Sequence, residues 1–278
     1  MSWNKPASWI LGVLVLGLSV GELQAAPKAE LWARWEAHDP SSNNKLDHTP
    51  WAGFLQKYLL GDHPSGVNLV RYKAVEGQDK ILLGKYLETL EKVAVSKLAR
   101  PEQKAYWINL YNALTLKVVL DHYPVKSILE INISPGWFSR GPWDAKLLRI
   151  EGEGVSLNDI EHRILRPIWK DNRVHYALNC ASVSCPNLQP EAFTAENTEE
   201  LLEMGARQYL SHPRGARLEA DTLVLSSIYD WYQADFGGSK SGVIQHLVKY
   251  AGSPLAKALS GFRGRIRYEY DWSLNQAP

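Results

Sequence analysis

Cysteine is scarce in this sequence, because 278 residues contain only two, Cys180 and Cys185. A disulfide-stapled scaffold needs several bridges in a short chain, so this class is not expected. Excess charge is also lacking, since 31 basic and 30 acidic side chains leave a formal net charge of +1. This balance gives no electrostatic reason to expect binding to nucleic acid or to an anionic membrane. We therefore predict a small-molecule, peptide or protein ligand and no nucleic acid.

Four well-marked catalytic motifs are missing from the sequence, namely GxSxG, GxxxxGK[ST], GxGxxG and HExxH. Their absence removes the best-marked hydrolase, nucleotide-binding, dinucleotide-binding and zinc-protease classes. The two cysteines are spaced C-x4-C instead of the C-x2-C of many zinc sites, and no second Cys/His pair follows closely. We predict no bound metal and no cofactor.

Long apolar runs are lacking except near the N-terminus, where Lys5 precedes the run 10–20 and small residues follow at Ala25 and Ala26. This layout is typical of a secretory signal peptide. The run is shorter than the roughly 20 apolar residues that span a bilayer, although an uncleaved anchor is the alternative. We predict a signal peptide at 1–25 and a periplasmic or secreted protein that is not inserted in a membrane after cleavage.

Helical and strand patterns alternate irregularly over residues 26–278. Residues 103–122 are apolar over most of a helical circumference, which predicts a buried central helix that Pro124 ends. Residues 174–179 alternate apolar and polar side chains, as a strand does. Short hairpins and further helices surround these segments. The sequence predicts a single α+β domain at 26–278, with a central buried helix, surrounding helices and a small, mostly antiparallel sheet.

Two amides of the central helix are candidates for function. Asn109 and Asn112 lie three residues apart, so they share one face of the helix. A buried amide without hydrogen-bond partners costs about 1–3 kcal/mol, so each needs partners. They either tie a neighbouring loop to the helix or orient a catalytic side chain.

A second helix, predicted to begin at a capping box of Ser156 and Asp159, carries Glu161 within its apolar arc. A buried carboxylate needs a partner or has a raised pKa. His162 is the next residue, about 100° round the helix, so we do not expect it to pair with Glu161. Glu161 then serves either a structural ion pair or acid/base chemistry.

Three roles compete for Cys180 and Cys185. An exported location favours a disulfide, which would close a very small loop. Their spacing makes metal binding the weakest role. A nucleophilic cysteine needs a lowered pKa, a nearby imidazole and an orienting group. His175 lies five residues before Cys180, so the chain must fold back for them to meet, and His162 is an alternative. Nearby donors for an oxyanion are Asn179, Ser182 and Ser184.

Five phrases, in this order and spacing, resemble the domain-of-unknown-function 547 family. They are AYWINLYNALTL (105–116), HYPVKSI (122–128), LNDIEHRILRP (157–167), HYALNCASVSCPNL (175–188) and SSIYDWYQADFG (226–237). The resemblance implies a family core at about 100–240 and an unassigned activity, in exported bacterial proteins and in domains of plant proteins. Because members are not all exported, a disulfide cannot be presumed to be the reason for both cysteines. The family pattern matches here at Asn109, Asn112, Glu161, His162, Arg166, His175, Cys180, Ser182, Cys185, Pro186 and Asp235.

Two hypotheses follow from these patterns. The first is a thiol-dependent hydrolase or acyl transferase with Cys180 as nucleophile, His175 as base, and Glu161 or Asn109 as orienting group. Its binding or supporting residues would be Asn112, His162, Arg166, Ser182, Cys185 and Asp235. The second is a non-catalytic binding or interaction module with a small Cys180–Cys185 disulfide. In that module the aromatic side chains of Trp137, Phe138 and Trp143 would contact the partner.

Overall fold

The computed structural model describes residues 27–136 and 139–278. The predicted signal peptide at 1–25 lies outside these residues, as do Trp137 and Phe138. Helices and short strands within the described residues confirm the α+β class. The helices are α1 (Thr49–Tyr58), α2 (Gly77–Glu91), α3 (Arg100–His122), α4 (Arg166–Trp169), α5 (Thr198–Ser211), α6 (Ile228–Trp231), α7 (Lys240–Tyr250) and α8 (Ser253–Leu259). The strands are β1 (Leu59–Leu60), β2 (Leu69–Val70), β3 (Leu148–Ile150), β4 (Glu153–Val155), β5 (Ala216–Glu219), β6 (Thr222–Ser226) and β7 (Arg265–Glu269).

Helix α3 is the predicted central helix, and it is buried on nearly every side. It begins three residues earlier than predicted. Pro101 lies in its first turn, where a backbone N–H would have no acceptor within the helix, so a proline is tolerated there. Its buried polar residues have partners, as when Gln103 Nε2 donates to the carbonyl oxygens of Ala37 and Val95 at 2.9 and 2.7 Å. No helix of the described residues, α3 included, is both long and apolar enough to cross a membrane.

The β structure is divided among three small sheets in the described part of the chain. Strands β1 and β2 pair antiparallel, and so do β3 and β4. In the third sheet β5 pairs antiparallel with β6, whereas β6 pairs parallel with β7. The prediction of mostly antiparallel pairing is confirmed. The prediction of one small sheet is wrong, because the strands form three separate sheets.

The predicted strand at 174–179 is also wrong. Residues Asn172–Tyr176 form a 3-10 helix, which the Asp171 side chain caps by accepting from the backbone N–H of Arg173 at 3.0 Å. Val174, His175 and Tyr176 are all buried, so the alternation of side chains does not separate a buried face from an exposed one. Alternation over six residues is too short a pattern to identify a strand against such a local cap.

The predicted helix that carries Glu161 is present in an altered form. Its capping box is confirmed, since Asp159 Oδ2 accepts from Ser156 N and Oγ at 2.8 Å, and Ser156 Oγ accepts from Asp159 N at 3.2 Å. Residues Asp159–Leu165 then form a π-helical segment that continues into α4. Such segments are rare and are frequent at functional sites. The wider turn brings His162 Nδ1 to 3.9 Å from Glu161 Oε1, closer than the α-helical step predicts.

Two buried apolar clusters meet beside this π-helical segment. The larger one surrounds α3 and includes the π-helical segment, and the smaller one surrounds α5, α7 and the third sheet. Between them runs the segment from Tyr176, which belongs to the smaller cluster, to Leu178, which belongs to the larger. The candidate site lies at this junction.

Candidate functional site

A cavity of about 240 Å³ opens at the junction of the two clusters. Its polar lining side chains are Ser139, Arg140, Asp144, Asn158, Glu161, His162, His175, Cys180 and Cys185. Its remaining wall is strongly aromatic. The aromatic lining residues are Tyr111, Trp143, Trp231, Tyr232, Tyr270 and Trp272. An apolar concave wall with a few convergent polar groups is the usual form of a small-molecule site.

Five polar residues, Glu161, His162, Arg166, His175 and Asp235, form what we call the charged cluster. His175 Nε2 lies 2.8 Å from Asp235 Oδ2, and Arg166 Nε donates to the same oxygen at 2.6 Å. The other ring nitrogen of His175, Nδ1, lies 3.6 Å from Glu161 Oε1, which is longer than a hydrogen bond. An Nε2–H bond to Asp235 leaves Nδ1 as the basic nitrogen of a neutral ring.

Both carboxylates of the charged cluster are ionised at neutral pH. Burial opposes ionisation of Glu161, but the neighbouring imidazoles of His162 and His175 and the Arg166 guanidinium outweigh it and lower the Glu161 pKa to about 2. Burial also opposes ionisation of Asp235, and hydrogen bonds from His175 and Arg166 outweigh it and lower the Asp235 pKa. The predicted partner of Glu161, an arginine or histidine from elsewhere, is therefore present.

His162 has a different protonation state from an exposed histidine. Arg166 Nη1 donates to His162 Nδ1 at 2.9 Å, so the ring carries its proton on Nε2. Burial first, and then the charge of Arg166, lowers the His162 pKa to about 4 despite the nearby Glu161 carboxylate. At neutral pH the ring is uncharged. The ring lines the cavity.

An aromatic ring holds the charged cluster in place. The Tyr232 ring stacks on the His175 ring with centroids 4.2 Å apart and an interplanar angle of 15°. Arg166 lies over the same Tyr232 ring at 4.8 Å, a cation–π distance. Arg166 Nη1 also donates to the carbonyl oxygen of Pro27 at 2.8 Å, which ties the N-terminal end of the described chain to the cavity.

Residues 177–186, which we call the cysteine loop, carry the sulfur atoms. Cys180 is partly exposed, Cys185 is buried, and both are free thiols. Cys180 Sγ lies 3.2 Å from Ser182 Oγ and 3.2 Å from Tyr270 OH. The backbone N–H of Cys180 donates to Cys185 Sγ at 2.9 Å.

The two thiols of the cysteine loop have opposite acidities. Hydrogen bonds from Cys185, and then from Ser182 and Tyr270, outweigh burial and lower the Cys180 pKa to about 7. Burial, reinforced by the hydrogen bond to Cys180, raises the Cys185 pKa well above its ordinary value. Cys180 is therefore the thiol that ionises first, and neutral donors rather than a cation stabilise its thiolate.

The backbone of the cysteine loop is constrained around Cys180. Ala181 has a φ of 62°, a left-handed conformation that is uncommon without glycine and often marks functional sites. Asn179 holds this turn, since its Oδ1 accepts from Ala181 N at 2.9 Å and its Nδ2 donates to the carbonyl oxygen of Pro186 at 2.7 Å. Tyr270, which contacts both Cys180 and Ser182, reaches the loop from beyond β7.

The asparagine pair has the structural role that the sequence left open. Asn109 Nδ2 donates to the carbonyl oxygen of Phe193 at 2.7 Å and its Oδ1 accepts from Phe193 N at 3.0 Å, so Asn109 does not orient His175. Asn112 Nδ2 donates to the carbonyl oxygen of Ala177 and its Oδ1 accepts from Asn179 N, both at 2.9 Å. Asn112 thus anchors the cysteine loop to α3.

The direct contact that we predicted between Cys180 and His175 is not present. Among the described residues, the hydrogen-bond partners of Cys180 Sγ are hydroxyl and thiol groups, and none is an imidazole. His175 is oriented by Asp235 instead of Asn109. Sequence reasoning did not single out Tyr232, Tyr270 or Trp272. The aromatic residues in SIYDWYQADFG and in the final YEYDW were the only signal for them.

The described residues contain no group of three or more His, Cys, Asp or Glu side chains placed to hold a metal ion. A family model with the description Protein of unknown function, DUF547, matches residues 95–210. The matched range contains α3, the π-helical segment and the cysteine loop, and it ends before Asp235 and Tyr270. No curated protein and no solved structure matches the chain. The match over residues 95–210 supports membership of the DUF547 family for that part of the chain.

Proposed function

We propose that the protein is a thiol-dependent hydrolase or acyl transferase in which Cys180 is the nucleophile. One observation carries the proposal: a partly exposed thiol with two hydroxyl partners lines the same cavity as His175, which is hydrogen-bonded to Asp235. A nucleophilic cysteine requires a stabilised thiolate and a group for proton transfer, and both face this cavity.

In the proposed reaction, the Cys180 thiolate attacks the acyl carbon of an ester, thioester or amide. A carbon–sulfur bond forms, and the electron pair of the carbonyl π bond moves to its oxygen. The collapse of this intermediate expels the leaving group, which takes from His175 a proton that Nδ1 has first taken up from solvent. Water or a second acceptor then attacks the thioester, and His175 Nδ1 takes a proton from that attacking group. Because Glu161 is 3.6 Å from Nδ1, that nitrogen is not locked in a hydrogen bond.

His162 is the proposed donor for the developing oxyanion. Arg166 fixes its proton on Nε2, and burial keeps the ring neutral, with a pKa of about 4. A neutral imidazole donates a hydrogen bond without transferring its proton, which suits stabilisation of an oxyanion. The aromatic wall around Trp231 and Trp272 would exclude water and contact the acyl part of the substrate.

The proposal is tested with a panel of p-nitrophenyl acyl esters and acyl thioesters. We expect the fully reduced wild-type chain to release p-nitrophenol and to carry an acyl group on Cys180, located by peptide mass mapping. Cys180→Ser should lose both signals while its far-ultraviolet circular dichroism stays unchanged. Equal turnover by wild type and Cys180→Ser would remove the nucleophile from the proposal. A 180–185 disulfide that resists mild reduction, with no thiol labelling, would support the binding-module hypothesis instead.

We also propose, from the pattern of residues 1–25 alone, that the protein is exported and acts outside the cytoplasm. Expression of the full chain in a Gram-negative host should give a periplasmic product with a new N-terminus near Ala26 or Pro27. Edman sequencing of that product measures the cleavage site, and an intact Met1 in the membrane fraction would support the anchor alternative.

A further inference from the structure

The fold brings the only two thiols of the chain into contact. The backbone N–H of Cys180 donates to Cys185 Sγ at 2.9 Å. The left-handed Ala181 and the two side-chain bonds of Asn179 turn the chain back on itself between them. The sulfur atoms are therefore adjacent without a covalent bond that would hold them there.

The two thiols differ in access and in ionisation. Both cysteines line the cavity, but Cys180 is partly exposed, whereas Cys185 is buried and its Sγ–H donates to the carbonyl oxygen of Leu178 at 3.5 Å. A small oxidant in the cavity therefore meets the more acidic thiol first. An exposed, acidic thiol beside a protected second thiol is the arrangement of reversible cysteine oxidation.

We propose that Cys180 and Cys185 form a peroxide-reactive dithiol, in which Cys180 reduces a hydroperoxide and Cys185 closes the product to a disulfide. The Cys180 thiolate attacks the terminal peroxide oxygen, the O–O bond breaks, and the departing oxygen takes a proton from solvent. Cys180 becomes a sulfenic acid, losing two electrons that reduce the hydroperoxide to an alcohol or water. Ser182 Oγ and Tyr270 OH, each 3.2 Å from Cys180 Sγ, are placed to donate to the departing oxygen.

The second step consumes the Cys185 thiol. Its sulfur attacks the Cys180 sulfur, an S–S bond forms, the S–O bond breaks, and the Cys185 proton leaves with the hydroxide as water. A dithiol reductant returns both cysteines to thiols. The disulfide removes the nucleophile from the cavity, so acyl chemistry and peroxide reduction exclude each other. The peroxide reaction itself needs no acyl substrate and stands independently of the proposed function.

The rate advantage of the folded site follows from thiolate chemistry. A Cys180 pKa of about 7, against an ordinary value of 9.0, raises the thiolate fraction at pH 7 by about 50-fold. The more acidic thiolate is intrinsically less nucleophilic by roughly 8-fold over two units. The net expectation is oxidation about 6-fold faster in the folded chain than in the chain unfolded by guanidinium.

The test treats the reduced, full-length chain with hydrogen peroxide at pH 7 and follows free thiols and peptide masses. We expect a 180–185 disulfide in the wild type that dithiothreitol reverses. In Cys185→Ser, dimedone should trap a sulfenic acid on Cys180, because the resolving thiol is gone. In Cys180→Ser, Cys185 should stay reduced, because it is buried and not ionised.

A second comparison, which needs no variant, uses the wild-type chain in guanidinium as the control for the folded chain. Oxidation that is no faster in the folded chain overturns the proposal, as does oxidation of Cys185 before Cys180. Accumulation of sulfinic acid on wild-type Cys180 without a disulfide also overturns it, because Cys185 then fails to resolve the sulfenic acid. A protein that passes this test and turns over no acyl ester keeps the dithiol and loses only the hydrolase proposal.

Discussion

The charged cluster and the cysteine loop line one cavity but hold their ionised groups by different physical means. In the charged cluster, the Arg166 guanidinium and the imidazoles of His162 and His175 keep Glu161 and Asp235 ionised. In the cysteine loop, uncharged hydroxyl and thiol donors lower the Cys180 pKa to about 7. The difference indicates that the thiol does not depend on an imidazolium partner. The two regions can therefore be perturbed separately, and the following variants test that separation.

The largest expected effect is on turnover. His175→Gln removes the proposed proton-transfer group and should lower acyl turnover by about 10²–10⁴-fold. The pH midpoint of iodoacetamide labelling at Cys180 should stay near 7, because no imidazole hydrogen-bonds to that sulfur. The matched control is His63→Gln, in the loop between β1 and β2, which should change neither quantity. A labelling midpoint that rises toward 9 in His175→Gln would show that the two regions are electrostatically coupled.

The next effect is on stability and separates the two asparagines of α3. Each amide makes two backbone hydrogen bonds, so Asn109→Ala and Asn112→Ala should each cost about 2–4 kcal/mol of unfolding free energy. Only Asn112 anchors the cysteine loop, so only Asn112→Ala should move the Cys180 labelling midpoint upward. Urea denaturation and labelling at several pH values measure both quantities. An equal shift of the midpoint in both variants would contradict the assigned role of Asn112.

Much of the scaffold could be predicted from local patterns. The apolar circumference of 103–122 identified α3, and the Ser156–Asp159 spacing identified the helix start, because both depend on residues within a few turns. The π-helical turn was not predictable, since an apolar arc drawn at 100° per residue fits a widened turn nearly as well. The strand at 174–179 failed for a related reason, as a single side-chain cap at Asp171 outweighed the alternation.

The chemistry of the site was only partly predictable. Glu161, His162, His175 and Cys180 do line one cavity, as their clustering in family-like phrases suggested. Asp235 contacts His175 from 60 residues further along the chain. Tyr270 contacts Cys180 from 90 residues further along the chain. Spacing alone gives no information about contacts at that separation. The sequence therefore offered Asn109 as the orienting group, although its amide is occupied by Phe193.

A smaller effect concerns acid stability and the charged cluster. An unfolded histidine binds a proton near pH 6.5, whereas folded His162 does so only near pH 4. Between those values the unfolded chain binds more protons, so the unfolding free energy falls as the pH falls. His162→Gln should therefore make the drop in unfolding free energy between pH 6.5 and pH 4.5 smaller by roughly 1–3 kcal/mol. Urea denaturation at the two pH values measures this drop. His48, remote from the cavity with a pKa of about 4, gives a matched variant, His48→Gln.

If burial of a neutral ring is what lowers the histidine pKa, His162→Gln and His48→Gln should reduce the pH dependence of the unfolding free energy by similar amounts. Only His162→Gln should also lower acyl turnover, because only His162 lines the cavity. A pH dependence that is unchanged in His162→Gln would mean that the folded ring titrates near its ordinary value. The oxyanion role would then fail, since the ring would be largely protonated in mildly acidic solution.

The smallest expected effect is on the thiol itself. A hydrogen bond to a charged group contributes about 1.5–3 kcal/mol, and one pKa unit corresponds to about 1.4 kcal/mol. Ser182→Ala and Tyr270→Phe should therefore each raise the Cys180 pKa by about one unit. The raised pKa leaves less thiolate at pH 7, so iodoacetamide labelling slows by about 5-fold. Ser184→Ala is the matched control, because Ser184 Oγ accepts from Asp271 N and is no partner of the sulfur.

Ionic strength distinguishes this origin from a hidden ion pair. Salt screens charges but has little effect on hydrogen bonds from neutral donors. The pH midpoint of iodoacetamide labelling at Cys180 should therefore stay the same between low salt and about 1 M salt, where the Debye length is about 3 Å. A midpoint that rises with salt would indicate that a cation stabilises the thiolate. Because Ser182→Ala and Tyr270→Phe would then have little effect, the two measurements together decide whether hydrogen bonds or charges activate this thiol.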